Sequence, residues 1–331
     1  MRIAVIGAGA LGGTFAVLLS RAGHDVTVTA RGDALEVIRA EGIRLSGGFG
    51  DAHARPHAVS QLTERPDLTL ICTKAHDAAN AIRANAAVID GSPVIVVQNG
   101  LYGVATAQAA LTSSECLGAL SIIAANYAQP GHVVVTTRAH TYLGRGAGPA
   151  DEVTLRWAAV LNDAVPVSPV ENFVGAQWTK LVVNMLNALP AITGLSVQEV
   201  IGHPRLRKVM AASMREAVQV GIARGVTFGS LQALGDRRLR LFARLPLWAV
   251  QVLPQMMKTR MGPVENLGST LQSLRRGQPS EIDHLNGAVV REAGAAGLAA
   301  PVNALLTVLV HEVELTGAHL SQAAVLSRFR A

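Results

Sequence analysis

The strongest constraint on the fold of this chain is Gly7-Ala8-Gly9-Ala10-Leu11-Gly12, which follows the run Arg2-Ile3-Ala4-Val5-Ile6 and opens an apolar stretch over residues 11–21. A GxGxxG set between a strand and a helix is a phosphate-binding turn. Its first glycine permits the tight bend, its second lets backbone approach a pyrophosphate, and its third lets helix and strand pack closely. The helix N-terminus adds unpaired N–H groups and the positive end of the helix dipole. Gly7, Ala8, Gly9, Ala10, Leu11 and Gly12 are therefore the expected dinucleotide contact, and the fold they demand is a Rossmann-type, doubly wound α/β sheet.

The end of the second strand selects the dinucleotide. A site for NAD places Asp or Glu there to hold the ribose hydroxyls, whereas an Arg accommodates a 2′-phosphate. Here the order is Val28-Thr29-Ala30-Arg31-Gly32, with no acid before Asp33, so Arg31 is expected to favour NADPH.

Over residues 1–167, strand-like runs at 2–6, 26–29, 68–73, 94–97, 116–120, 133–137 and 141–143 alternate with helical stretches, and Pro130-Gly131 reads as a turn. That is the pattern of parallel βαβ units. Beyond it the chain reads as helices, at 176–189, 205–224, 230–243, 280–296 and 303–315. Two domains follow, 1–167 for the dinucleotide and 168–331, all helical, for substrate and catalysis, with a cleft expected between them. The stretch 225–262 has no clear period; its apolar part, 241–253, is a candidate homodimer contact.

The chain has 331 residues, half of them hydrophobic and 16% charged, which excludes a disordered chain and a small disulfide-held module. Its apolar runs fall short of the roughly 20 residues a bilayer span needs, so no membrane span is expected. Met1 leads directly into a strand and Cys72 and Cys116 show no metal or redox spacing, so a cytoplasmic protein with two reduced thiols is expected. The net charge of +6 is scattered and poor in aromatics, which fits a small anionic ligand better than nucleic acid. Lys occurs only at 74, 180, 208 and 258, against 25 Arg. Arg keeps its proton at neutral pH and Lys can release it, so each Lys marks a position of interest.

Ligands of open α/β sheets bind at the carboxyl ends of the strands. Two such ends are polar: Thr73-Lys74-Ala75-His76-Asp77 and Gln98-Asn99-Gly100, so Lys74 and Asn99 are expected to face the cofactor, with Asp77 capping a helix. In the helical half, Lys180 and Asn184 lie four apart on one helix face among apolar neighbours, which predicts a desolvated Lys of lowered pKa. Farther on stand Asn266, Ser269 and Ser280-Glu281-Ile282-Asp283-His284-Leu285-Asn286-Gly287. No cluster has metal-ligand spacing, and no metal is expected.

Taken in order, the glycine turn, Arg31, Thr-Lys-Ala around Lys74, Gln-Asn-Gly around Asn99, Trp-x-Lys-Leu-x-x-Asn at 178–184 and Glu-Ile-Asp-x-Leu-Asn-Gly at 281–287 resemble the ketopantoate reductases (2-dehydropantoate 2-reductases) over nearly the whole length. The resemblance implies a helical second domain of the 6-phosphogluconate dehydrogenase type. It also implies NADPH-dependent reduction of the 2-keto group of ketopantoate to D-pantoate, a step towards pantothenate and coenzyme A. By that likeness Lys180 is the catalytic acid, acting with Glu281, while Asn184 and Ser269 hold the substrate. Asn99 touches cofactor and substrate, Lys74 and Glu281 lie by the cofactor, and a backbone contact comes from near Ala125. The chain departs from the family where a second Asn commonly follows the first by four residues. Ala188 stands there and the Asn is Asn187, which a helix turning by about 100° per residue would point elsewhere. Two other readings remain: a reductase of another branched or aromatic 2-keto acid, and a non-catalytic NADP(H)-binding regulator.

Overall fold

The computed structural model describes residues 1–231, 233–261 and 265–329, and divides into two compact units, Met1–Phe173 and Val174–Ala331. The first unit opens with β1 (Arg2–Ile6), α1 (Ala10–Arg21), β2 (Asp25–Thr29) and α2 (Gly32–Glu41). Next come β3 (Ile43–Gly47), β4 (Ala52–Ala54), β5 (His57–Val59), β6 (Leu68–Ile71), α3 (Ala75–Ile89), β7 (Val94–Val97), α4 (Gly103–Ala110) and β8 (Cys116–Ser121). The unit continues through β9 (Ala124–Gln129), β10 (His132–Thr137), β11 (Thr141–Gly144), α5 (Glu152–Asn162) and β12 (Val167–Pro169).

The main sheet runs β12-β11-β8-β7-β6-β1-β2-β5, parallel throughout except where β11 runs against β8. From β1 the chain steps outward to β2 and β5, then returns to β6 on the other side of β1. This reversal is the switch point where open α/β sheets bind ligands. Both faces are covered, as a parallel sheet requires. Ile3 and Val5 enter one apolar cluster with Phe15, Leu19, Ile95 and Val97, while Ala4 and Ile6 enter another with Ile71, Ile82, Val94 and Val96. The expected doubly wound α/β fold is present.

A second sheet, ordered β4-β3-β10-β9, was not expected. Its β4 spans only three residues, and β9 (Ala-Ala-Asn-Tyr-Ala-Gln) contains no β-branched residue. The β9–β10 hairpin makes it a strand, closed at Gly131, whose φ of +70° suits glycine. This sheet explains Gly13, since a Cβ there would stand 2.8 Å from Val133 Cγ2. Helix α1 packs on both sheets, and its residues from Gly12 to Leu19 are all buried.

The second unit is helical: α6 (Phe173–Asn184, beginning on the last residue of the first unit), α7 (Ala188–Thr193), α8 (Val197–Gly202), α9 (Pro204–Ala223), α10 (Asp236–Arg244) and α11 (Val252–Arg260). After these come α12 (Ser269–Arg275), a 3₁₀ turn (Ile282–His284), α13 (Asn286–Ala295), α14 (Pro301–Thr316) and α15 (Gln322–Arg328). Two expected helices are broken. The helix expected over 176–189 stops at Asn184, where Met185, Leu186 and Asn187 donate to carbonyls three residues back, and α7 starts afresh. Pro190 enforces the break: in a continuous helix its ring would collide with the Leu186 carbonyl, but it fits the first turn of a new one. The stretch 280–296 divides at Leu285 (φ −109°, ψ −93°), which separates the 3₁₀ turn from α13. Segment 225–262 supplies α10 and α11; its Gln232 and Gly262 lie outside the described residues, and so does Gln232 of the helix expected over 230–243.

A buried polar network joins three helices of this unit. Ser213 on α9 donates to Asn303 Oδ1 on α14 at 2.8 Å, and Asn286 on α13 donates to the same oxygen at 2.9 Å. Glu216 accepts from the backbone of Val302 and Asn303, capping α14, and burial pushes its pKa up against those bonds. Asn286 of the Glu-Ile-Asp-x-Leu-Asn-Gly stretch is thus a packing residue. Both cysteines are free thiols pushed up by burial, Cys116 to about 11. No helix among the described residues is long and apolar enough to cross a membrane.

Candidate functional site

In the first unit the site grows from the glycine turn. The Gly7 N–H donates to Thr29 Oγ1 and the Ala8 N–H to the Thr29 carbonyl, both at 3.1 Å, which ties the turn to the end of β2. Gly7 has φ +101°, and a Cβ on it would meet Thr73 N at 2.9 Å; a Cβ on Gly12 would lie 1.9 Å from the Gly7 carbonyl oxygen. Both glycines serve the protein's own packing. Gly9 differs. Its backbone (φ −76°, ψ −161°) is open to any residue, and a Cβ there would meet nothing within 4 Å. Room beside Gly9 at the N-terminus of α1, with no acid in the first helical turn, fits a pyrophosphate.

The other strand ends carry the remaining polar groups. Arg31 is exposed at the N-cap of α2, just past β2. Lys74 is the N-cap residue of α3, half-buried. Asp77 sits within the first turn and pairs with His76 at 3.5 Å, so it favours the helix by charge and does not cap it. Gln98 donates from Nε2 to the Thr73 carbonyl at 2.7 Å, linking the ends of β6 and β7 and fixing the loop that carries Asn99. The Gln98 Oε1 and Thr73 Oγ1 atoms are buried without a hydrogen-bond partner, and sequence reasoning did not single them out. Ala125 lies in β9 opposite Val135, beside Asn126, whose Oδ1 is also buried and unpartnered.

In the second unit Lys180 lies in the middle of α6, 8% exposed, between the fully buried Thr179 and Leu181. Thr179 is held by hydrogen bonds to the carbonyls of Gly175 (3.1 Å) and Gly229 (2.7 Å), which anchors this part of the helix. Burial lowers the Lys180 pKa to about 8, against the charge of Glu281, which raises it. One turn on, Asn184 ends the helix with its Nδ2 buried and unpartnered. Such a donor costs roughly 1–3 kcal/mol unless something accepts from it, which leaves Asn184 Nδ2 available to a water or a bound ligand.

Glu281 precedes the 3₁₀ turn, and its carbonyl accepts from His284 and Leu285. Ser269 is exposed at the start of α12, after Gly268 (φ +71°), whose N–H donates to Asn266 Oδ1 at 2.9 Å. The helical-wheel argument does not reach Asn187, because α6 has ended before it. Asn187 Oδ1 lies 2.7 Å from where a Cβ on Gly268 would stand, against the backbone that leads into Ser269. Only the tertiary fold brings these together. Among the described residues, no group of three or more His, Cys, Asp and Glu side chains is arranged to hold a metal ion.

The chain matches the family described as "Ketopantoate reductase PanE/ApbA" over residues 3–148, and its C-terminal counterpart over 172–314. The 2-dehydropantoate 2-reductase of Archaeoglobus fulgidus is 30% identical over 318 residues, covering 95% of this chain and 98% of the relative. The crystal structure of a PanE/ApbA family ketopantoate reductase from Ralstonia eutropha JMP134 is 31% identical and covers 96% of this chain and 100% of its own, with a TM-score of 0.81. A D-mandelate dehydrogenase solved with NADH and anilino(oxo)acetate shares the fold at 19% identity (TM-score 0.80, covering 96% and 99%).

Proposed function

The chain belongs to the ketopantoate reductase family and is an oxidoreductase acting on a 2-keto acid or the matching alcohol, and from that premise we propose that it reduces ketopantoate to D-pantoate with NADPH. One observation carries the reading: a single lysine buried in α6, its pKa lowered to about 8, with an orphaned amide donor one turn away. Reduced nicotinamide, when bound, supplies a hydride to the keto carbon. The residues of the chain do the rest.

The first unit holds the dinucleotide. The Gly7–Gly12 turn and the α1 N-terminus take the pyrophosphate, and Arg31 pairs with the 2′-phosphate, where β2 presents Thr29 in place of an acid. Asn99, Lys74 and the backbone near Ala125 contact the cofactor. The second unit holds the acid. Negative charge develops on the keto oxygen as the carbon is reduced, and the Lys180 ammonium stabilises that charge and gives its proton from Nζ. Glu281 keeps Lys180 protonated against the burial that opposes it. Asn184 donates from Nδ2 to the substrate, and Ser269 adds a hydroxyl.

A second reading, reduction of another branched or aromatic 2-keto acid, is favoured by Ala188 standing where an Asn is common and by Asn187 packing against Gly268. The test is loss of absorbance at 340 nm with NADPH or NADH and a panel of 2-keto acids. Fastest turnover with ketopantoate and NADPH supports the proposal. A preference for phenylglyoxylate or for NADH replaces the substrate or the cofactor, and tight NADPH binding without turnover on any acid replaces the enzyme with a regulator.

A further inference from the structure

Outside the residues assigned above, a group of titratable side chains gathers around His311 of α14. His311 stands between two carboxylates, its Nδ1 2.6 Å from Glu314 Oε2 and its Nε2 3.0 Å from Asp283 Oδ1. Glu314 also accepts from the Ser280 N–H through its other oxygen, at 2.9 Å. These bonds fall on residues 280 and 283, on either side of Glu281. Arg291 of α13 adds a bond to the Asp283 carbonyl at 2.8 Å, and the fully buried Ile282 anchors the turn from below. On the same helix Glu312 pairs with Arg328 of α15. The helix itself is rigidly seated, with Leu306, Leu309 and Val310 fully buried and its first turn capped by Glu216.

We propose that His311 is a positioning residue for Glu281: with Glu314 and Asp283 it fastens the turn 280–284 to α14 and so fixes the carboxylate that acts on Lys180. This rests on the reading of Lys180 and Glu281 given above. An imidazole bridging two carboxylates donates from both ring nitrogens, which only the protonated ring can do. Burial disfavours that charge, but the hydrogen bonds to Asp283 and Glu314 outweigh it and raise the His311 pKa. Gln in its place carries its donors on one atom and cannot span the pair.

The chain's four lysines make a direct test practical. With ¹³Cε-labelled lysine the Lys180 signal is assigned by its loss in Lys180→Arg and titrated in the wild type, Glu281→Gln, His311→Gln and the double variant. Removing an imidazolium by simple electrostatics would raise the Lys180 midpoint. Loosening Glu281 lowers it. The expected result is a downward shift in Glu281→Gln, a smaller downward shift in His311→Gln, and no further shift when the two are combined. The alkaline limb of the kcat profile should move the same way. His311 is 41% exposed in its side chain, so the variant is expected to fold, and a thermal melt on the same sample checks it. An unchanged or raised Lys180 midpoint in His311→Gln, with Glu281→Gln still lowering it, overturns the inference and leaves the site reading standing. If Glu281→Gln leaves Lys180 unmoved, the pairing of Glu281 with Lys180 fails first.

Discussion

Two alanine substitutions in one turn, Gly9→Ala and Gly12→Ala, separate what the fold needs from what the ligand needs. At Gly12 alanine gains about 1 kcal/mol in helix propensity. Against this, the new Cβ would lie 1.9 Å from the Gly7 carbonyl oxygen and 3.1 Å from Cys72 Cβ. Overpacking costs about 1–3 kcal/mol where side chains yield, and here the opposing atom is backbone, so about 3 kcal/mol is a lower figure. The net loss of about 2 kcal/mol or more lowers the melting temperature by at least about 4 °C for a unit of this size. At Gly9 the Cβ meets nothing and the backbone is extended, which alanine adopts without a positive φ, so stability holds or rises by about 0.4–1 kcal/mol through the unfolded chain. The same methyl occupies the space assigned to the pyrophosphate, and NADPH affinity should fall at least about tenfold, or ~1.4 kcal/mol. Scanning calorimetry and isothermal titration on the two variants measure both effects. Wild-type NADPH affinity in Gly9→Ala would refute the placement of the pyrophosphate, and a wild-type melt in Gly12→Ala would refute the packing argument.

Arg31→Ala should weaken NADPH binding while leaving NADH binding unchanged; equal loss for both removes Arg31 from the 2′-phosphate. Lys180→Ala and Lys180→Arg should each cut kcat by about 10²-fold or more, since Arg stabilises charge but does not deliver the proton, and near-normal turnover in Lys180→Arg would contradict proton donation. Turnover in the wild type should fall as pH rises through about 8, where Lys180 loses its proton, and a profile flat to pH 9.5 would argue against it. The same burial makes Lys180 a cost to the fold at neutral pH. The gap between about 8 and the ordinary 10.5 corresponds to roughly 3 kcal/mol at most, so inactive Lys180→Met should melt above the wild type, and a lower melting temperature would count against burial as the cause. His311, whose folded pKa is raised, contributes stability that is full below its unfolded value and lost as pH rises through the folded one; His311→Gln should remove that pH dependence from the melting temperature.

Sequence alone determined what depends on local steric and chemical necessity. Gly7 must bend with positive φ and Gly12 must let α1 lie on β1, so the strand, turn and helix were legible, and with them the doubly wound sheet. A lysine flanked by apolar residues in a chain that otherwise uses Arg marked Lys180 as desolvated. Tertiary structure decided what depends on distant residues. The second sheet exists because β3 pairs with β10 from the far end of a long connection that no short window spans, and the β9–β10 hairpin extends it. The break after Asn184 comes from Pro190 six residues later, and it sets Asn187 against Gly268, about eighty residues away. Asn286 belonged to a motif in the sequence but is a buried link to Asn303, while His311, in no motif at all, meets Asp283 only because α14 packs beside that turn. Local geometry is written in neighbouring residues; the company a side chain keeps across twenty-eight or eighty positions is settled by which surfaces bury the most apolar area together.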